Sequence, residues 1–499
     1  MNHLIIAPVV LPAVLAGLIV LLAQNDLWVQ RVVSVVGTLI LAMIAGVLLV
    51  QASTGGAQGY FLGNWPAPFG IVLMLDRLSA LMLGLTAFLS VAVVIYVIGT
   101  GWDARGKHFH ALFLFQLMGL NGAFLTGDAF NLFVFFEVLL IASYGLMIHG
   151  GGKERLRAGV QYVAYNLIGS TLFLFGLATI YSVTGTLNMA DLAVRVAQLP
   201  AQSEALVRVA AVLLMLVFAI KGALAPMQFW LPGAYAAAPG PVAALFAVMT
   251  KVGAYALIRF GTMIFPPTTL GGLIAQLLWP AAMVTIALGA FGVLGARELA
   301  RMVAFAAIGS MGVLFLVVSA FTPAGIAAAL YYLVHSTLAT AALFLLADLV
   351  RDRWGHSNLA QASVPLAQGG LIAGLFMFSA VAMVGMPPLS GFVGKLFVLD
   401  ALRGQMVWAW TAILVASLLT LIGFGRAGSA LFWKPYGGGQ GPEAHPAEPW
   451  SFFALGLLSA ALVALTLFAG PVYGWLNETA AALLVPVDYI AATKLQGGE

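Results

Sequence analysis

The chain has 499 residues, of which 62% are hydrophobic and only 8% charged, with a mean hydropathy of +1.05 and a formal net charge of +4. A soluble domain carries about 25% charged residues, so the composition excludes a soluble globular protein, and so small a net charge gives nucleic-acid binding no support. There is no cysteine, which excludes disulfides and cysteine-ligated iron–sulfur or zinc sites.

The N-terminal MNHLIIAPVVLPAVL has no Lys or Arg ahead of its apolar run. A secretory signal would carry a positive n-region, so this segment is expected to be a retained first span. One crossing takes about 20 apolar residues, and that length divides the chain into about 14 spans. They are expected at 4–23, 28–50, 76–99, 109–127, 129–149, 158–183, 207–235, 240–263, 273–295, 299–320, 324–348, 367–403, 406–433 and 450–474. The fold class is therefore an all-α polytopic membrane protein forming one membrane domain, 1–499, with GGGQGPEAHPAEP at 437–449 as a loop. Spans 207–235 and 367–403 are too long for one straight crossing, and each contains proline, Pro226 in the first and Pro387-Pro388 in the second. Proline removes a backbone donor and clashes with the preceding turn, so both spans are predicted to be broken. Unwound backbone at membrane depth survives only inside protein or beside a wet cavity.

Loop charges give the orientation. Connections after odd-numbered spans carry Arg31, Arg105, Lys107, Lys153, Arg155, Arg157, Arg297, Arg301, Arg351, Arg353, Arg426 and Lys434. The opposite side has only Arg77, Arg195, Arg208, Arg259, Arg403 and Lys494. The odd connections are expected in the cytoplasm and both termini outside. A weak internal repeat aligns 162–178 with 331–347 at six of 17 positions, and the proline breaks at 226 and 388 keep nearly the same offset. An odd number of spans separates equivalent ones, which predicts an inverted repeat of the kind secondary transporters use.

Five ionisable side chains fall near the middle of their spans: Glu137, Lys221, Lys251, His335 and Lys395. A charge at the bilayer centre costs about 2.5–3.5 kcal/mol even on the lenient insertion scale, and such residues mark ion or proton pathways. Glutamate, lysine and histidine exchange protons when their burial and neighbours change, so a row at one depth would conduct them. Each residue has a structural alternative. Glu137 would be an ion-pair partner, Lys221 a donor to carbonyls freed at Pro226, His335 a packing histidine beside Ser336 and Thr337, and Lys395 a snorkelling side chain. Lys251 has the weakest structural excuse. Asp348 and Asp400 are expected at span ends in interfacial water, and Asp76, Asp128 and Lys153-Glu154-Arg155 at loop edges. The phenylalanine run FNLFVFF reads as lipid-facing or packing surface.

The segments IKGALAPMQFWLPGAY (220–235), PGPVAALFAVMTKVGAYALIR (239–259) and GMPPLSGFVGK (385–395) resemble the antiporter-like subunits of respiratory complex I and of the Mrp (Pha, Mnh) cation/proton antiporters, the D-type subunit of the latter above all. The resemblance covers nearly the whole chain. It implies 14 helices, with an N-terminal three-helix segment (1–108), inverted five-helix repeats at 109–263 and 273–433, discontinuous seventh and twelfth helices, and a last helix with a tail at 450–499. It implies that Glu137 modulates a neighbouring lysine, that Lys221 and Lys251 are the seventh- and eighth-helix lysines, that His335 is an eleventh-helix relay, and that Lys395 is the twelfth-helix lysine. The implied protein is a proton-translocating subunit of a Na⁺ or K⁺/H⁺ antiporter in the bacterial inner membrane. Its partners would be subunits of the A, B, C, E, F and G type, with protons, Na⁺ or K⁺, and membrane lipid. No cofactor, metal site or enzymatic activity of its own is expected. The alternative is a proton-pumping subunit of a redox complex, complex I or a membrane-bound hydrogenase. A purely structural scaffold is disfavoured by five ionisable groups at mid-span.

Overall fold

The computed structural model describes residues 2–200, 204–267, 270, 272–360, 368–434 and 449–495. Helices α1 (Ala7–Leu22) and α2 (Leu27–Gly55) lead into an antiparallel hairpin, β1 (Gln58–Phe61) and β2 (Val72–Leu75). Then come α3 (Arg77–Thr100), α4 (Phe109–Leu125), α5 (Ala129–Met147), α6 (Lys153–Thr184), α7 (Met189–Gln198), α8 (Glu204–Lys221), α9 (Trp230–Ala237) and α10 (Gly240–Arg259). The second part has α11 (Leu273–Gly295), α12 (Leu299–Val318), α13 (Pro323–Trp354), α14 (Gly369–Val384), α15 (Ser390–Ala401), α16 (Met406–Gly428), α17 (Pro449–Leu467), α18 (Ala469–Leu484) and α19 (Val487–Ala492). Among the described residues ten helices are long and apolar enough to cross a membrane, and α1, α4 and α14 are shorter apolar helices. The protein is a mostly helical, multi-span membrane protein.

The structure corrects the sequence reading in several places. The chain is not purely α-helical, because 58–61 and 72–75 pair as strands, with Tyr60 opposite Leu73. The region after 449 is not one helix and a tail: α17 stops at Leu467, and α18 and α19 follow. Pro471 lies in the first turn of α18, where proline is tolerated because its missing N–H has no partner there anyway. Lys153, Glu154 and Arg155 are not loop residues but the first turn of α6. Asp76 and Asp128 do more than edge a loop: each caps a helix, Asp76 accepting from the Ser79 N–H at 2.9 Å and Asp128 from the Asn131 N–H at 2.7 Å. The segment 437–448 lies outside the described residues.

Two helices form the centre. All 20 residues of α10 are buried, and α13 is almost fully enclosed. A helix apolar on every side can only be satisfied inside other helices. Asp348, expected in interfacial water, is instead buried on α13. It accepts from Trp102 Nε1 at 2.8 Å, from the Tyr96 hydroxyl at 3.1 Å and from the Gly240 N–H at 3.2 Å. Its carboxylate thus holds the N-terminus of α10, the position where a helix dipole favours negative charge. Near the same end, burial would raise the Asp103 carboxyl, but His110 and Arg31 bring it down to about 2.

Asp128 is the opposite case. Burial pushes its carboxyl up to about 6, against the backbone donors of Asn131 and Phe130. The folded chain therefore holds the proton more tightly than the unfolded chain does. The associated stability is fully present below the unfolded value near 3.8 and is lost as pH rises through about 6. Asn caps a helix as well as Asp, so Asp128→Asn is expected to stabilise the protein at pH 8 by on the order of 2–3 kcal/mol, with little change at pH 4. Thermal melting of the detergent-purified complex at the two pH values checks this.

Candidate functional site

The two proline-containing spans are interrupted at 222–229, between α8 and α9, and at 385–389, between α14 and α15. In the first break the freed backbone finds other partners. The Ala225 N–H donates to Thr285 Oγ1 at 2.8 Å, and Trp230 Nε1 donates to the Ile220 carbonyl at 3.0 Å. Lys221 is therefore not spent on the broken helix. Its Nζ donates to Asn166 Oδ1 at 3.0 Å and sits 5.9 Å from the Phe136 ring.

Helix α6 ties this lysine to Glu137. Ser170, four residues after Asn166 and so on the same face, donates its hydroxyl to the Glu137 carboxylate. Glu137 is half-buried and lies within electrostatic reach of Lys221. A cavity of about 20 Å³ lies between Phe136, Tyr162, Asn166, Lys221, Trp230 and Met249. A space of that size admits a water molecule when polar groups line it.

Lys251 is 1% exposed on α10, and its Nζ has only weak partners, Met311 Sδ at 3.3 Å and Thr250 Oγ1 at 3.5 Å. An ammonium needs three acceptors, so this one is held poorly. Gly253 brings α10 against the end of α8: a Cβ there would lie 2.5 Å from the Phe218 carbonyl oxygen and 2.6 Å from the Gly222 nitrogen. The backbone contact sets Lys251 beside the turn that ends in Lys221.

His335, on α13, pairs its Nδ1 with Ser390 Oγ at 2.9 Å, while the buried Nε2 has no partner. It is within electrostatic reach of both Lys251 and Lys395. Lys395, on α15, donates to the Val384 carbonyl at 2.6 Å and to Ser417 Oγ at 2.7 Å. The carbonyl role foreseen for Lys221 thus belongs to Lys395. Its amine borders a cavity of about 30 Å³, lined also by Tyr332, Ser310 and Thr420.

The five side chains lie on packed helices in the order Glu137, Lys221, Lys251, His335, Lys395, with the two end members half-buried and the three inner ones buried. Among the described residues no hydrogen bond joins any two of them directly; Asn166, Ser170, Ser390 and Ser417 hold them instead. Sequence reasoning missed these four, and it put Phe136 on a lipid or packing surface although the ring faces Lys221. Toward the side rich in arginine a larger cleft, about 470 Å³, opens beside α9 between Arg157, Arg301, Arg351, Glu154 and Glu298. Among the described residues no group of His, Asp and Glu is arranged to hold a metal.

Buried amines, a carboxylate and an imidazole held by hydroxyls and an amide next to helix breaks define a membrane protein of the antiporter-like class. The model of the NADH:quinone oxidoreductase/Mrp antiporter transmembrane family matches residues 126–422. The chain is 40% identical to a probable K⁺/H⁺ antiporter subunit of the D type from Rhizobium meliloti, over 98% of this chain and 97% of that one. It is 37% identical to a Na⁺/H⁺ antiporter subunit of the same type from Bacillus subtilis, over 99% of both. A chain of the Mrp complex from Dietzia sp. DQ12-45-1b superposes with a TM-score of 0.89 at 28% identity, covering 99% of this chain and 100% of the other. The chain belongs to this antiporter family, in the branch of the D-type subunits.

Proposed function

We propose that the protein is the proton-translocating D-type subunit of a multisubunit Na⁺ or K⁺/H⁺ antiporter in a bacterial inner membrane. Protons move along Glu137, Lys221, Lys251, His335 and Lys395, coupled to cation efflux through a complex that includes the A, B, C, E, F and G type subunits. The observation that carries the reading is the poorly held ammonium of Lys251, enclosed between Lys221 and His335. Nothing structural depends on its charge, while a proton moving between its neighbours would use it. The names of the full-length relatives favour the antiporter over the redox-complex alternative.

The chain crosses 14 times in this reading: the ten long apolar helices, the three shorter ones, and α8, whose Glu204, Arg208 and Lys221 make it more polar than the rest. Both termini face outward. Every ion pair between distant helices supports this, because each joins residues that the count puts on one side. Arg31–Asp103 and Arg105–Asp352 are cytoplasmic; Arg77–Glu478 and Arg259–Asp76 are external. The domain boundaries are 1–108, 109–263, 273–433 and 450–499. Inverted repeats are supported by recurring contacts. The Ala129 N–H donates to the Leu187 carbonyl and the Leu299 N–H to the Ser357 carbonyl; Met189 donates to Gly127 and Leu359 to Arg297. Both halves also end in a π-helical turn, Phe260–Ile264 and Ser429–Trp433.

Glu137→Gln keeps the shape and removes the charge that steadies Lys221. It is expected to slow exchange about tenfold, the effect of about 1.4 kcal/mol, without loss of the complex from the membrane. Proton flux in vesicles and rescue of a salt-sensitive host measure it. Wild-type exchange by this variant would remove Glu137 from the pathway, and rescue that needs no accompanying antiporter subunits would refute the assignment to a multisubunit antiporter.

A further inference from the structure

On α10 three polar side chains, Lys251, Tyr255 and Arg259, recur every four residues and so form one stripe. The stripe runs from the middle of a fully buried helix to its outer end. There Arg259 donates to both oxygens of Asp76, Nη1 to Oδ2 at 2.6 Å and Nη2 to Oδ1 at 2.7 Å, and its Nη2 lies 3.5 Å from the Tyr255 hydroxyl. The guanidinium also lies 4.8 Å from the Tyr489 ring. Two buried polar atoms in this cluster, Arg259 Nε and the Tyr489 hydroxyl, have no partner. Buried groups with unspent hydrogen-bonding capacity are rare in proteins and call for a reason. Asp76 and Tyr489 form the inner wall of an external cleft of about 300 Å³, whose mouth carries Glu478 and Asp488.

We infer that the chain has its own external proton passage, running from Lys251 along the α10 stripe past Tyr255 to Asp76 and out through this cleft. The inference rests on the reading of Lys251 as a proton carrier. The Lys251 ammonium releases a proton and becomes a neutral amine. Water held by Tyr255, Arg259 and Tyr489 takes it, the Asp76 carboxylate accepts it at the cleft wall, and Asp76 returns it to external water. Inward movement is the same sequence reversed. Arg259 keeps Asp76 in place and repels a cation entering with the proton, while the carboxylates at the mouth concentrate protons there. A plain structural fastening of α3 to α10 would need the Arg–Asp pair, but not the tyrosines, the unpaired atoms or the acidic cleft.

The test uses the complete antiporter complex in right-side-out vesicles. Thr54 lines the cleft on α2 without contacting Asp76, and the chain has no cysteine of its own, so Thr54→Cys places a single thiol in this chain. A membrane-impermeant thiol reagent bearing trimethylammonium, applied outside, is expected to slow proton exchange several-fold. A sulfonate reagent of similar size is expected to leave it unchanged. Tyr255→Phe, which conserves packing, is expected to slow exchange on the order of tenfold. Lys221→Ala runs in parallel. If it blocks exchange while the sign of the adduct and Tyr255→Phe make no difference, the row of charges stands and the passage is overturned. If Lys221→Ala exchanges at the wild-type rate, the row itself falls.

Discussion

Lys221→Ala is expected to leave the complex assembled and to cut proton exchange by roughly a hundredfold, since the lenient cost of a bare charge at mid-bilayer, about 2.5–3.5 kcal/mol, corresponds to about that factor. Assembly should survive because the lysine does not support the broken helix: Trp230 and Thr285 satisfy the backbone there. Only Asn166 loses its partner, and its amide nitrogen still donates to the Tyr162 carbonyl at 2.8 Å. Lys221→Arg separates two roles. Arginine keeps a positive charge beside Glu137 but does not give up its proton in proteins. If Lys221 acts by releasing its proton, the arginine variant should be as slow as the alanine one. Wild-type exchange by the arginine variant would make Lys221 a fixed counter-charge. Both measurements are proton flux in vesicles, normalised to the amount of complex in the membrane.

The ionisable row was legible because a charge in an apolar run has no cheap explanation, and the two helix breaks were legible because proline cannot continue a helix. What holds the row was not. Asn166, Ser170, Ser390 and Ser417 are small, uncharged and common in membrane helices, so nothing in the sequence separates them from Ser or Thr that bond back to their own helix, as Thr171 does. Asp348 was misplaced for a different reason. Helix α13 continues as far as Trp354, so an aspartate that looks terminal by hydropathy is covered by Tyr96, Trp102 and the start of α10. The hairpin at 58–75 and helices α18 and α19 carry too little hydrophobic periodicity to stand out beside long apolar spans. The arrangement of the Lys251 stripe against Asp76 also needs tertiary structure, since 183 positions separate Asp76 from Arg259.

Gly391→Ala is expected to cost about as much activity as losing a lysine, although it adds one methyl group and changes no charge. Gly391 lies in the first turn of α15, where three elements meet. A Cβ there would overlap the carbonyl oxygen of Ala382 on α14 and come within 2.9 Å of His335 Nε2 on α13. The carbonyl is backbone just before the break and cannot swing aside. The half-helix α15 must shift instead, at a cost of about 1–3 kcal/mol for overpacking. That shift carries Ser390 away from His335 and Lys395 away from Val384 and Ser417, three contacts of 2.6–2.9 Å. A misplacement of about 1 Å in a proton-transfer geometry is enough for roughly a hundredfold loss. Gly374→Ala on α14, where a Cβ would meet nothing within 4 Å, is the matched control and should exchange normally. Vesicle flux and thermal melting of the purified complex read the two effects separately, the first falling far more than the second. If Gly391→Ala exchanges at the rate of Gly374→Ala, the close approach of α13, α14 and α15 does not govern transfer between His335 and Lys395.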